Sequence, residues 1–389
     1  MFIGAVVAVL PIVCMYLGQV VTGDSGKAIA ALGLTFCVPY VLAAENWDDH
    51  DRSNRYTARD IAKCYLESCA KNAIVFTNGD NDTFPLWYVQ EVEGFRTDVR
   101  VVNLSLLNTD WYIDQMRRKA YDSDAVPFSL TPDHYRARNR DVVYILNPMD
   151  ENYKAMLEKF TPKDVMAYYQ NMWNNGADID DIVKLIASDE AGTKLPGENP
   201  EDKGTEFITT RKIRIKVDSA AVIANGTVSK DQYNQIPKEI QFSLGGGAIY
   251  KSKLMVLDLI ATNNWERPIY FNNTSLSTMG LNISEHVVME GLTYRLLPIR
   301  KPETLREELV NTDLAMKNFM ENFAFRGMND SNVYLDEEYR RFTSNHRSTL
   351  NSIALALLDE NRMEDAAKLL NFGLNTIPDK AVPYDLSSG

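Results

Sequence analysis

The chain opens with an apolar run that contains no charged residue between positions 2 and 21. Its length is close to the roughly 20 residues that a helix needs to cross the hydrocarbon core of a bilayer, which is about 30 Å thick. The run therefore predicts a membrane-spanning helix. A secretory signal peptide is one alternative, although it would carry a basic segment before its apolar core. A helical hairpin buried inside a soluble protein is the other.

A second apolar run covers residues 28–44 and predicts a second span. Lys27 and Glu45 flank this run, and Trp47 suits the aromatic belt of a membrane interface. Residues 1–46 are therefore predicted to form a two-helix membrane hairpin, with the lipid bilayer as partner. Lys27 is the basic residue near the connecting turn, which favours a turn in the cytoplasm. We expect the remaining chain to lie on the periplasmic (extracytoplasmic) side of the inner (cytoplasmic) membrane, as the C-terminal part of a longer multi-pass protein.

Composition limits what the rest of the chain can do. The 389 residues are 45% hydrophobic, which is enough to build a substantial core. The formal net charge of −12 argues against nucleic acid as a partner, because binding to phosphates requires a basic surface. Cys64 and Cys69 share a predicted helix, but their spacing is poor for a disulfide or a metal pair.

Strands and helices alternate after the second run and predict a mixed-sheet α/β domain over residues 47–330. A helix is expected to start near Thr57, where Thr57 and Asp60 resemble a capping box. A strand at 73–77, a helix and a strand at 98–105 follow. Their order suits a right-handed parallel crossover.

The second half of this region adds further elements. A third strand is predicted at 143–146, and alternating residues at 211–218 and 239–244 suggest a small antiparallel element. A helix at 251–264 and a strand at 267–273 are expected next.

The tail, residues 331–389, differs from the α/β region. It predicts two helices that resemble a single tetratricopeptide unit. One such unit cannot bury its own apolar face. Either it packs on the α/β domain, or further repeats are missing.

The best candidate site is the polar loop that follows the strand at 73–77. Ligands of open α/β sheets bind beyond the carboxyl ends of the strands. Asp80 and Asp82, with Asn81 between them, suit a hard cation or sugar hydroxyls. Trp87 suits stacking on the apolar face of a sugar. Under the structural alternative, Asp82 only caps a helix after a tight turn.

A companion loop follows the strand at 98–105. Its polar and aromatic residues are Asn108, Asp110 and Trp111. They are predicted to face the same crevice as Asp80. Alternatively, Asp110 caps the helix that begins there.

A third candidate cluster follows the predicted second span. It consists of Asp48, Asp49, His50 and Arg52. Arg52 suits a lipid-linked phosphate, and His50 suits acid–base chemistry. The alternative is a solvated linker, because loops next to membranes are commonly charged.

The common catalytic signatures are absent from the sequence. It contains no G-x-S-x-G, H-E-x-x-H or C-x-x-C motif. The glycines at 245–247 are interpreted as a turn, because no P-loop lysine follows them. No catalytic residue, metal ligand or cofactor is therefore assigned.

Three stretches of the sequence are similar to one protein family. They are residues 46–69 (NWDDHDRSNRYTARDIAKCYLESC), residues 76–116 (FTNGDNDTFPLWYVQEVEGFRTDVRVVNLSLLNTDWYIDQM) and residues 260–274 (IATNNWERPIYFNNT). The chain resembles the C-terminal halves of large multi-pass membrane proteins, abundant in Bacteroidetes, that carry a domain of unknown function. That domain is grouped with the C-type membrane glycosyltransferases, whose animal relatives are protein O-mannosyltransferases.

The resemblance implies a lipid-linked sugar donor and an acceptor protein as partners. In such transferases the acidic catalytic residue lies in the first extracytoplasmic loop, which would precede this sequence. No catalytic residue carries over, and the chain alone is expected to be inactive. We expect an accessory region that recognises the acceptor or the donor head group.

Two alternatives stay open. One is a non-catalytic, membrane-tethered interaction module of an envelope complex, whose tail recruits a partner. The other is a metal-dependent hydrolase that uses Asp80, Asp82 and His50, for which the sequence gives no complete ligand set.

Overall fold

The computed structural model describes residues 24–190, 192–196, 204–302 and 308–384. The predicted first span, residues 2–21, lies outside these residues. Residues Asp24–His50 form the first described helix, α1. Within the described residues, no helix is both long enough and apolar enough to span a membrane. The predicted second span, and with it the hairpin, is not supported, because the uncharged part of α1 is shorter than the roughly 20 residues required.

The helices that follow α1 are α2 (Thr57–Glu67), α3 (Asp80–Glu91), α4 (Asp110–Met116), α5 (Pro132–Tyr135), α6 (Glu151–Phe160), α7 (Lys163–Asn175), α8 (Ile179–Ala187), α9 (Ser219–Ala224), α10 (Lys251–Asn263), α11 (Asn273–Thr278), α12 (Thr312–Lys317), α13 (Glu337–Asp359) and α14 (Met363–Thr376). Short 3-10 helices occur at Leu106–Asn108, Lys230–Gln235 and Ser284–His286, and a π-helical turn occurs at Asn318–Asn322.

The strands are β1 (Ile74–Thr77), β2 (Arg100–Asn103), β3 (Val142–Ile145), β4 (Ala177–Asp178), β5 (Lys194–Leu195), β6 (Thr205–Ile208), β7 (Lys212–Lys216), β8 (Glu239–Leu244), β9 (Ala248–Tyr250), β10 (Ile269–Asn272), β11 (Leu281–Asn282), β12 (Val287–Met289) and β13 (Thr293–Leu296). They form three sheets, with the strand orders β12-β13-β10-β1-β2, β11-β8-β7-β4 and β5-β6-β3-β9.

The five-stranded sheet is the centre of the molecule. Its strands β10, β1 and β2 are parallel, with Val75 opposite Tyr270 on one side and Val101 on the other. Every residue of these three strands is buried, as expected for parallel strands covered on both faces. Strands β13 and β12 continue the sheet in antiparallel fashion. The predicted mixed sheet and its strand–helix–strand unit are thereby confirmed.

The other two sheets correct one prediction and confirm another. The predicted third strand exists as β3, but it pairs with β6 and β9 in a separate sheet rather than with β1 or β2. The predicted antiparallel pair is present as β7 and β8.

Helix α10 packs against α8 and against the 3-10 turn Leu106–Asn108, and thereby connects the central sheet to the others. Its apolar residues are buried on almost all sides, which is typical of a core helix. The buried carboxylate of Asp258 accepts hydrogen bonds from the backbone nitrogens of Ser129 (3.2 Å) and Leu130 (3.1 Å). These bonds satisfy a carboxylate whose pKa is raised by burial.

The start of α2 differs from the predicted capping box. Tyr56, not Thr57, precedes the helix, and no side chain caps it. Asp60 instead lies fully buried and accepts hydrogen bonds from the backbone nitrogen and Nε of Arg326, both at 3.0 Å. The carboxylate therefore fixes the segment before the tail onto α2.

The tail is helical, as predicted. Helices α13 and α14 pack against each other, and α13 also contacts α2 and α12. Nη2 of Arg347 on α13 donates to the carbonyl oxygen of Ile377, just after α14, at 2.9 Å. Of the two alternatives for the tail, packing on the α/β region is the one observed.

Candidate functional site: a polar cleft at the edge of the central sheet

The carboxyl ends of the three parallel strands meet at one edge of the central sheet. After β1 the chain continues to β2 on one side, whereas after β10 it continues to β12 and β13 on the other. Strands β1 and β10 therefore flank a topological switch point, where open α/β sheets bind ligands.

Three polar side chains connect these strand ends. The hydroxyl of Ser105, which follows β2, contacts Oδ1 of Asn78, which follows β1, at 3.1 Å. Nδ2 of Asn78 in turn donates to the hydroxyl of Thr278, at the end of α11, at 3.1 Å. The three loops are thereby joined into one polar floor.

A cleft of about 820 Å³ lies over this floor. Its other walls come from the 245–247 turn, from Ser252 and Lys253 in the first turn of α10, and from Tyr144 and Tyr250. Among the described residues, no carboxylate lines the cleft, although the protein carries a net charge of −12. The cleft is therefore electrostatically distinct from the acidic molecule around it.

Lys253 supplies the positive charge of the cleft. Its Nζ lies 3.4 Å from the carbonyl oxygens of Gly245 and Gly280, and no described carboxylate forms an ion pair with it. Partial burial lowers the pKa of this lysine, since desolvation penalises the charged form. The ammonium group is held by two long hydrogen bonds and has no counter-ion in the part of the chain that the structure describes.

The backbone of Gly280 is shaped to admit this lysine. Its φ of +66° lies in the left-handed region, and a Cβ atom at this position would come within 2.7 Å of Lys253 Nζ. Backbone N–H of Gly245 donates to the Gly280 carbonyl at 2.9 Å, which joins the two glycine segments.

The tyrosines and one amide complete the cleft. Tyr144 is 44% exposed and Tyr250 is 61% exposed, so both rings are available for contact. Oδ1 of Asn108 accepts a hydrogen bond from the backbone nitrogen of Ser252 at 3.0 Å, which orients the start of α10. Hydroxyls, amides, aromatic rings and one cation suit a ligand that is rich in hydroxyl groups and carries an anion.

The structure divides the predicted first loop between two places. Asn78 lines the cleft, whereas Asp80, Asn81 and Asp82 line a different cavity. The prediction that the second loop faces the same crevice as Asp80 is therefore wrong. Helix α3 begins at Asp80, and Asn81 donates to Glu338 on α13 at 3.3 Å. Thr83 in the same turn contacts the hydroxyl of Thr77 and accepts from Nδ2 of Asn103, both at 2.8 Å, so this part of the turn lies on the sheet edge.

Asp110 is a structural residue. Its Oδ1 accepts from Nζ of Lys251 at 2.9 Å, and its Oδ2 accepts from the backbone nitrogen of Ala137 at 3.1 Å. The Lys251 ammonium is buried and also donates to the Tyr135 carbonyl at 2.6 Å. Asp141, whose Oδ1 lies 2.5 Å from the same Nζ, is a second carboxylate at this buried cation, and the two together neutralise it.

The two predicted tryptophans do not line the cleft. Trp87 is half-buried, with its ring centroid 5.5 Å from that of Phe84 and 6.5 Å from that of Tyr112. Trp111 is exposed and meets Tyr112 edge-on at 5.5 Å. Both support the surface around Tyr112.

The third predicted cluster lies at the end of α1. Nδ1 of His50 is 2.9 Å from the carbonyl oxygen of Asn46 within the same helix. Arg52 is exposed in the following loop. The side chains of Asp48 and Asp49 are outside the described part of the structure. Binding of a lipid-linked phosphate by this cluster stays a prediction.

Several cleft residues could not be found by sequence reasoning. Tyr144, Tyr250 and Lys253 belong to elements far along the chain from the predicted loops. The one available signal is the glycine run before α10, whose sequence pattern predicts only a turn. Within the described ranges, no group of three or more His, Cys, Asp or Glu side chains is arranged to hold a metal ion.

Comparison with known families provides the classification. The sequence profile of TMEM260-associated domain 2 matches residues 58–314, well over half of the chain. The chain belongs to this family. Every residue that lines the cleft, from Asn78 to Gly280, lies inside the TMEM260-associated domain 2 match, whereas α13 and α14 follow it. No curated protein and no solved structure gives a significant match.

Proposed function

We propose that the polar cleft recognises the sugar-phosphate head group of a lipid-linked donor. The chain would then be a non-catalytic, periplasmic region of a multi-pass membrane glycosyltransferase of the protein O-mannosyltransferase type. The observation that carries this proposal is the unpaired Lys253 in a cleft without carboxylates.

The cation supports recognition of the phosphate. A half-buried ammonium group without a counter-ion gains more from an anionic ligand than an exposed one does, because its charge is less screened. The N-terminus of α10, next to Lys253, adds the partial positive charge of the helix dipole. Hydrogen bonds to charged groups are about twice as strong as neutral ones.

The remaining lining supports recognition of the sugar. A volume of about 820 Å³ falls within the usual range for small-molecule sites. Asn78, Ser105 and Thr278 offer donors and acceptors on the floor of the cleft. Tyr144 and Tyr250 offer exposed rings for the apolar face of a sugar.

Calorimetric titration of the complete chain tests the proposal. Mannose 1-phosphate, mannose and inorganic phosphate serve as probes. Mannose 1-phosphate is expected to bind more tightly than either part alone, since it engages the lysine and the tyrosines together. Equal affinity for all three, or no binding, would contradict the proposal.

Two variants separate the contributions. Lys253→Met is expected to weaken mannose 1-phosphate binding about tenfold or more, the equivalent of one charged hydrogen bond, and to leave mannose binding unchanged. Tyr250→Ala is expected to weaken both. The matched controls are Lys154→Met on α6 and Tyr168→Ala on α7, where Tyr168 is 43% exposed.

A second candidate function is favoured by the tail. The helices α13 and α14 expose five large apolar side chains, and these are Leu355, Leu358, Met363, Leu370 and Leu374. Such a surface supports recruitment of a protein partner, as in tetratricopeptide repeats. Under this alternative, Leu355→Ser with Leu374→Ser would abolish partner binding, and Lys253→Met would leave it intact.

A further inference from the structure

A second cavity, of about 460 Å³, lies between α2, α3 and α13. It shares no lining residue with the cleft. Its inner wall is apolar, with Ile61 from α2 and Leu86 from α3 both buried. The volume suits a small organic molecule.

Aromatic rings from two helices surround this cavity. Phe84 and Tyr88 lie one turn apart on α3 and are about half exposed, at 49% and 48%. Tyr339 and Phe342 lie on neighbouring turns of α13. The same rings already take cations, because the guanidinium carbon of Arg55 lies 4.5 Å from the Tyr339 centroid and that of Arg341 lies 4.9 Å from the Phe342 centroid.

A buried carboxylate gives the cavity its charge. Asp82 is only 5% exposed, and its Oδ2 has no hydrogen-bond partner of normal geometry within the described residues. Burial raises the pKa of Asp82, and this is opposed by hydrogen bonds with the side chains of Asn272 and Thr274 and by the positive charge of Arg341. Nδ2 of Asn272, at the end of β10, is also buried and has no partner within normal hydrogen-bond limits among the described residues.

The arginines at this cavity are already engaged. Nε and Nη2 of Arg59 donate to the Glu93 carboxylate at 2.5 and 2.7 Å. Nη1 of Arg55 forms an ion pair with Asp336 at 3.6 Å but has no hydrogen-bond partner among the described residues. Arg341 is the cation that acts on Asp82. Asp80 lines the cavity and has no ion pair among the described residues, so its negative charge remains without a counter-ion there.

We propose that this cavity binds an organic cation, with its ammonium group at Asp82 and its apolar body against Phe84, Tyr88 and Phe342. Aromatic rings together with a carboxylate are the general means by which proteins hold ammonium ligands. An anion would be repelled by Asp82, and a neutral molecule of the same shape would lose the charged hydrogen bond. The site shares no lining residue with the cleft, and this proposal does not rest on the function proposed for the cleft.

Three probes of similar shape test the charge preference. Phenethylamine, 2-phenylethanol and phenylacetate are titrated into the complete chain and followed by ligand-observed NMR. We expect the amine to bind about tenfold more tightly than the alcohol, and the carboxylate not to bind. Equal binding of amine and alcohol, or no binding of the amine, would overturn the proposal.

Substitutions locate the site. Asp82→Asn, nearly the same in shape, is expected to remove the preference for amine over alcohol and to leave alcohol binding in place. Tyr88→Ala, at a half-exposed ring, is expected to weaken both about fivefold and serves as the second variant if Asp82→Asn fails to fold. Asp164→Asn, at an exposed carboxylate on α7, is the matched control. An amine preference that survives in a folded Asp82→Asn, or binding unaffected by Tyr88→Ala, would contradict the assignment.

Discussion

His346 is a buried titratable group inside the tail. Its Nδ1 lies 2.9 Å from the Phe342 carbonyl oxygen, and its Nε2 is buried without a partner among the described residues. Burial lowers the pKa of this histidine to about 4, and the hydrogen bond opposes the shift only in part. Between about pH 4 and pH 6.5 the imidazole of His346 is therefore neutral in the folded protein and charged in the unfolded chain.

This histidine should make stability depend on pH. The unfolded chain takes up a proton as the pH falls through about 6.5, whereas the folded protein does so only at about 4. Between these two pH values the unfolded state binds more protons than the folded state. The free energy of unfolding therefore decreases by roughly 1 kcal/mol for each unit by which the pH is lowered. Urea unfolding at pH 7 and pH 5 measures the loss. His346→Gln should reduce the slope, and the exposed His50→Gln should not. An equal loss of unfolding free energy between pH 7 and pH 5 in the wild type and in His346→Gln would refute the assignment to His346.

A second residue-scale prediction concerns Gly280. Gly280→Ala places a Cβ at 2.7 Å from Lys253 Nζ and strains a backbone with φ +66°. We expect a loss of about 2 kcal/mol in stability and weaker binding of mannose 1-phosphate, because the lysine must move. Gly226→Ala is the matched control, since its φ is +63° and no atom lies near the added Cβ. Only the first variant should change ligand binding.

At the scale of elements, local sequence patterns predict many of the helices and strands. They do not predict how these elements are placed relative to one another. The strands β1 and β2 follow directly from their short apolar runs, all of whose residues are buried. Which cavity Asp80 faces depends on where α3 starts and on α13, a helix more than two hundred residues away in the chain. Similarly, β3 shows the pattern of a strand, but its partner is β6, and no local signal distinguishes that partner from β1.

The contact of Asp60 with Arg326 is an element-scale prediction. Asp60→Asn replaces an acceptor oxygen with a donor facing the guanidinium and leaves a fully buried amide poorly satisfied. We expect a loss of about 3 kcal/mol in the free energy of unfolding. Glu285→Gln, in an exposed pair with Arg300, should cost less than about 1 kcal/mol. Chemical denaturation of both variants checks the difference, and equal losses would contradict it.

At the scale of the whole molecule, two neighbouring sites differ in the charge of the residues that line them. The cleft lies at the carboxyl edge between β1, β2 and α10, and the second cavity lies between three helices. No lining residue is common to both.

The two sites should therefore bind independently. Saturation with phenethylamine is expected to change the affinity for mannose 1-phosphate by less than about twofold, because coupling requires differential contacts between two states. Titration of one ligand in the presence of the other measures this. Mutual exclusion would instead mean that both ligands compete for a single site.

Helix α13 distinguishes the two sites, because it lies outside the family match and lines only the second cavity. It supplies Glu338, Tyr339 and Phe342 to the second cavity, yet it begins after residue 314, where the family match ends. The cleft is built wholly from the shared family core, so relatives can inherit it unchanged. The second cavity is completed by a segment outside the match, so membership of the family implies the elements of the cleft but not those of the whole second cavity.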